Sequence, residues 1–129
     1  MPESVSFPAA DGYALHGFAW RGARAPVQPR PIVIINSATS VRCRYYERFA
    51  DALHARGCDV LTYDYRGIGE SRPNSLRALG ASWLDWGAND FEGAWRCAMA
   101  HFPDQPIYVV GHSIGGFVIG LAPSAHRIE

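Results

Sequence analysis

The stretch Ile107-Tyr108-Val109-Val110-Gly111-His112-Ser113-Ile114-Gly115-Gly116 decides how this chain folds. Its first four residues form an unbroken apolar run, which predicts a strand buried on both faces. A Gly-x-Ser-x-Gly pattern follows at once. The apolar segment from Ile114 to about Ala122 then predicts a short helix, broken by Pro123. A strand, a sharp turn and a helix set a serine hydroxyl at the end of a sheet strand and above a helix N-terminus. The two segments can approach closely only if Gly111 and Gly115, two before and two after Ser113, lack a Cβ. The backbone N–H of Ile114 then points at a reacting carbonyl, and the helix dipole favours a developing negative charge there. The plainer reading of the same residues is a Gly-rich turn in which Ser113 only caps the helix.

Working outward from this turn, strands and helices alternate. Phe91, Trp95, Ala98, Met99 and Phe102 share one helical face, with Ser82 or Asn89-Asp90 as candidate caps and Pro103 as the stop. Before it lies a loop from Arg66 to Gly80, and before that a strand from Cys58 to Tyr65. Tyr46, Phe49, Ala50 and Leu53 recur at i, i+3, i+4 and i+7 and predict an amphipathic helix ended by Gly57. Ile32 to Ile35 is a second unbroken apolar strand. Residues 21–31 form a loop rich in proline and arginine. Residues 4–20 predict a hairpin around the Asp11-Gly12 turn. The expected architecture is α/β: a β-hairpin followed by a βαβαβα unit over 32–122, a mostly parallel sheet with helices on both faces.

Composition narrows the function classes. The chain has 129 residues, one domain's worth. It is 48% hydrophobic and 19% charged, so it can bury a core. Twelve basic residues balance twelve acidic ones, and without a basic run nucleic acid is not an expected partner. Cys43, Cys58 and Cys97 are widely spaced and read as free thiols. The five histidines lack metal-ligand spacing, so neither a metal nor another cofactor is expected. No signal-peptide pattern opens the sequence and no apolar run approaches the ~18 residues of a membrane span, so a cytoplasmic location is expected.

Two motifs together resemble the α/β-hydrolase family, in particular its serine aminopeptidase-like and lysophospholipase-like members. One is Gly111-His112-Ser113-Ile114-Gly115-Gly116. The other, one helix upstream, is Asp64-Tyr65-Arg66-Gly67-Ile68-Gly69-Glu70-Ser71, which is similar to the family's D-x-R-G-x-G-x-S loop. The resemblance implies a serine hydrolase acting on a small-molecule ester or amide through Ser113 as nucleophile. It implies Ile114 as one oxyanion-hole N–H, and Ala38, with Thr39 next, as the second. Relatives carry an H-G-x stretch there, where this chain has Asn36-Ser37-Ala38-Thr39. Asp64 and Arg66 resemble the family's loop organisers, and a surface salt bridge is the other reading of them.

A serine hydroxyl needs a base, and the base an orienting acid. The family orders them Ser, Asp/Glu, His. After Ser113 this sequence holds only His126 and Glu129, on a segment that leads away from the turn, while His112 neighbours the serine on the opposite side of the strand. The expectation is therefore an incomplete domain, ending near where a sixth strand would begin, and inactive by itself. Its strand 107–110 would be an exposed edge open to self-association. The alternatives are an acyltransferase on the same turn, or a non-catalytic α/β binding module.

Overall fold

The computed structural model describes residues 2–22, 30–71 and 83–128. The expected hairpin is formed by β1 (Glu3–Pro8) and β2 (Ala14–Trp20), paired antiparallel with Phe7 opposite Leu15. Gly12 turns the chain at φ 94°, a left-handed conformation that glycine adopts without penalty. The two unbroken apolar runs and the segment between them form β3 (Ile32–Asn36), β4 (Asp59–Tyr63) and β5 (Ile107–Gly111). The sheet order is β1-β2-β4-β3-β5. β3 pairs in parallel with β4 and with β5, while β2 joins β4 antiparallel. From β3 onward the sheet is thus parallel, and the hairpin makes the whole sheet mixed.

Every residue of β3 and β4 is buried, and the period of two sends alternate side chains to different layers. Ile32, Ile34, Leu61 and Tyr63 pack with Leu15 against Phe91, Ala94, Trp95 and Ala98. Those last residues lie on α3 (Glu92–His101) and on the wide π-helical turn Trp86–Phe91 before it, which α2 (Trp83–Asp85) begins. Val33, Ile35 and Val60 pack with Trp20 against Tyr46 and Ala50 on the opposite face. There the chain enters α1 (Glu47–Ala55) through a 3-10 turn, Cys43–Tyr46. Helices cover both faces because both faces of these strands are apolar. Each fully buried Ile or Leu contributes about 1.5–3 kcal/mol.

The structure corrects several expectations. β4 ends at Tyr63, two residues early, where Asp64 turns to the Cys43 N–H and Tyr65 stacks on Trp86. Phe49 does not join the buried face of α1 and is 43% exposed. The predicted helix after Ser113 is α-helical only over α4 (Ile114–Phe117) and continues as a 3-10 turn, Val118–Leu121. Asn89-Asp90 does not cap the second helix, since helical structure already begins at Trp83 and Asp90 is buried within it. β5 is buried at Ile107, but Tyr108 and Val110 are 46% and 38% exposed, because only β3 pairs with it. Ser82, Glu129, most of the 21–31 loop and residues 72–80 lie outside the described residues.

Candidate active site

The C-terminal ends of β3, β4 and β5 converge on one rim of the sheet. At this rim β5 passes into α4 through His112 and Ser113. Ser113 sits at φ 58°, ψ −119°, a sparsely populated conformation that costs a non-glycine residue about 1–3 kcal/mol. Its side chain is exposed and does not cap α4. The helix-capping reading of this serine is therefore not what the structure contains. No hydrogen bond joins Ser113 to a histidine among the described residues.

The glycines explain how so tight a turn closes. A Cβ on Gly111 would overlap the backbone of Gly116, and a Cβ on Gly115 would overlap the carbonyl of Asn36. The flanks of Ser113 therefore touch backbone to backbone, one pair within the turn and the other against the end of β3. Gly116 faces no such crowding. The Ile114 N–H, first in its helix, has no intrahelical carbonyl to meet.

The loop after β3 is held against this turn by side chains. Asn36, fully buried, donates through Nδ2 to the Gly115 carbonyl at 3.1 Å and accepts from the Tyr63 hydroxyl at 2.8 Å. The His112 N–H donates to the Asn36 carbonyl at 3.1 Å. The Tyr65 hydroxyl donates to the Ser37 carbonyl at 3.1 Å. The Ala38 N–H donates to the Tyr46 hydroxyl oxygen at 2.9 Å, and that oxygen lies 2.8 Å from His112 Nδ1. Burial pushes Tyr63 far above the ordinary phenol value and also raises Tyr65 and Tyr46, so all three hydroxyls keep their protons. Of the two loop residues expected to donate, Ala38 is buried with its N–H already paired, while Thr39 is exposed.

Asp64 and Arg66 are not surface residues. Asp64 is buried and accepts from the Cys43 N–H at 2.6 Å, fixing the start of the 3-10 turn that carries Tyr46. Arg66 grips Asp90 with its Nε at 2.8 Å and Nη2 at 2.7 Å, and Asp11 with Nη1 and Nη2 at 2.8 and 2.7 Å. The Asp90 carboxylate also accepts the Arg66 backbone N–H at 2.9 Å. The guanidinium lies 4.7 Å above the Tyr13 ring. Burial pulls Arg66 down, and the Asp11 and Asp90 carboxylates outweigh it, so the guanidinium is held above its ordinary value. The hydrogen bond from Arg66 lowers Asp11 against its own partial burial.

His126 lies exposed in a 3-10 turn, Ala125–Arg127. The segment before it is moored by Glu92, buried on α3, which accepts the Ser124 N–H and hydroxyl at 2.8 Å each. Among the described residues no group of three His, Cys, Asp or Glu could hold a metal ion. No helix of the described residues is long and apolar enough to cross a membrane. Sequence reasoning missed Tyr46 and Asn36 at this rim, and Asp11 and Asp90 as partners of Arg66. Their partners are separated by 8 to 79 positions along the chain, so no local spacing marks them.

Residues 27–127 match the family described as serine aminopeptidase, S33. Mouse monoglyceride lipase is 25% identical over 125 residues, a match that covers 92% of this chain and 37% of the lipase. In three dimensions the chain is similar to an esterase of Pyrococcus furiosus, with a TM-score of 0.71 at 19% identity over 92% of this chain and 44% of that one. A carboxyl esterase of Bacillus coagulans gives a TM-score of 0.71 at 19% identity, over 93% and 39%. The chain spans less than half the length of these proteins.

Proposed function

The chain belongs to the serine aminopeptidase S33 family of α/β hydrolases, and from that premise we propose that it carries the nucleophile portion of a serine hydrolase for small ester or amide substrates. The observation that carries this reading is the conformation of Ser113. A serine held at strained dihedrals by two glycine contacts, yet spending its hydroxyl on no helix cap, supports a chemical role over a folding one. Ser113 Oγ attacks the substrate carbonyl carbon and a tetrahedral oxyanion forms. The bond to the leaving alcohol or amine breaks, and the leaving group takes the proton that a base removed from the serine. Water then returns the acyl group to solution by the reverse sequence. The Ile114 N–H and one N–H of the loop after β3 meet the oxyanion.

The base and its acid are supplied elsewhere. His112 is engaged by Tyr46, and nothing among the described residues bonds Ser113 as a base would. Without a base beside Ser113, this chain by itself is expected not to turn over esters. The kinship of monoglyceride lipase and two esterases favours an ester over a peptide bond for the complete site.

A boronic acid tests the serine without needing a base. Boron accepts the Ser113 oxygen, becomes four-coordinate and releases the serine proton to solvent. Phenylboronic acid is expected to give a tetrahedral ¹¹B signal with the wild-type chain and none with Ser113→Ala. Equal signals from the two proteins overturn the assignment. Hydrolysis of a p-nitrophenyl ester by this chain, lost in Ser113→Ala, overturns the statement that it is inactive alone.

A further inference from the structure

The Ala38 N–H, which the family resemblance offers first as the second oxyanion donor, is already inside a hydrogen bond. Its acceptor, the Tyr46 hydroxyl, is buried, 2.9 Å from Ala38 N and 2.8 Å from His112 Nδ1, with the two rings edge to face at 5.9 Å and 81°. An amide hydrogen makes one good hydrogen bond. For Ala38 to serve an oxyanion it would have to leave the Tyr46 oxygen, which would keep only its contact with His112 Nδ1.

The next N–H along the loop is in the opposite condition. Val41 N–H donates to the Ala38 carbonyl at 3.1 Å, which closes a β-turn with Thr39 and Ser40 at its centre and Ser40 at φ 60°. In such a turn the N–H of the first central residue takes no part in closure. Thr39 is exposed, and its N–H bonds to no backbone carbonyl among the described residues. The same turn therefore buries one amide against Tyr46 and frees the next.

We propose that Tyr46 is a positioning residue: by holding the Ala38 N–H and bracing it on His112, it fixes the loop so that Thr39, not Ala38, gives the second N–H to the oxyanion. The inference rests on Ser113 as the nucleophile. It adds a specific device to that reading, a phenol that joins the loop after β3 to the residue just before the nucleophile. Asn36, Tyr63 and Tyr65 hold the base of the same loop, and Tyr46 acts on the part beyond Ser37.

Amide NMR of the 129-residue chain decides it. In the wild type, hydrogen exchange at Ala38 is expected to be protected and at Thr39 unprotected. Tyr46→Phe keeps the ring and its packing and removes only the hydroxyl. It is expected to speed Ala38 exchange about tenfold or more, leave Asn36 and Ser37 unchanged, and shift the His112 Nδ1 resonance. On addition of phenylboronic acid, the Ile114 and Thr39 amide protons are expected to move downfield while Ala38 stays still. A boronate shift at Ala38 in place of Thr39, or Ala38 exchange indifferent to Tyr46→Phe, overturns the inference and leaves the Ser113 assignment intact. Absence of a Ser113-dependent adduct overturns that assignment and this inference together. A general loss of structure in Tyr46→Phe, seen as exchange rising across β3, would make Tyr46 a folding residue and also overturn it.

Discussion

Two polar clusters lie at the same end of the sheet, and they treat their hydrogen-bonding groups in opposite ways. Around Arg66 every charged group has a partner: two carboxylates and an aromatic face surround one guanidinium, and the Arg66 backbone N–H adds a further bond to Asp90. Around Ser113 the Asn36 amide and three tyrosine hydroxyls are matched, yet the serine itself makes no cap bond and sits in a strained conformation. The first cluster is what stability alone produces, because an unpaired buried charge is expensive. In the second, strain and an idle hydroxyl survive only because the surroundings over-determine them. The comparison separates a residue that joins segments from a residue that is held ready.

Breaking the Arg66 cluster has the largest expected effect. Arg66→Ala leaves Asp90, fully buried, without its cation and unties the Asp11 turn from the helix that follows α2. Removing one partner of a buried pair costs about 3–5 kcal/mol. Urea unfolding should show that loss, and Arg66→Ala with Asp90→Asn should recover part of it. A loss below about 1 kcal/mol would place Arg66 among ordinary surface pairs. Gly115→Ala comes next. Its methyl overlaps the Asn36 carbonyl, which Asn36 cannot yield without losing its bonds to Gly115 and Tyr63. Overpacking of this kind costs about 1–3 kcal/mol, whereas Gly116→Ala, whose methyl would meet the Gly111 carbonyl only at an ordinary 3.7 Å, should lie within about 0.5 kcal/mol of wild type.

The sequence made one cluster legible and hid most of the other. Gly111, Ser113 and Gly115 are adjacent, so the strand–turn–helix geometry follows from local sterics and a single apolar run. Ile32–Ile35 and Ile107–Val110 look alike as runs, yet one is buried throughout and the other exposes Tyr108 and Val110. Burial of a strand depends on how many neighbours it finds, which no run of residues encodes. Asp64 and Arg66 were visible through a family motif, but their partners were not. Asp11 lies 55 positions from Arg66 and Asp90 24, and such pairs are chosen by the order of strands and by loop paths. In the sequence Tyr46 is one apolar position on a helix face. Its ring does pack in the core, and only its hydroxyl, set by the 3-10 turn before α1, reaches Ala38.

The sharpest form of the comparison is the smallest in magnitude, and it carries the opposite sign. Ser113 occupies a backbone conformation that glycine reaches at little cost. Its side chain gives nothing back through a cap. Ser113→Gly should therefore stabilise the chain, by up to about 1 kcal/mol after the greater entropy of an unfolded glycine is set against the relief of strain. Ser113→Ala keeps the Cβ and the strain and should change stability by less than about 0.5 kcal/mol. Both remove the boronate adduct. Chemical denaturation of the three proteins in parallel reads the order directly. If Ser113→Gly were the least stable of them, the hydroxyl or Cβ would be supporting the turn. Ser113 would then belong with Arg66, as a residue that joins segments rather than one held ready.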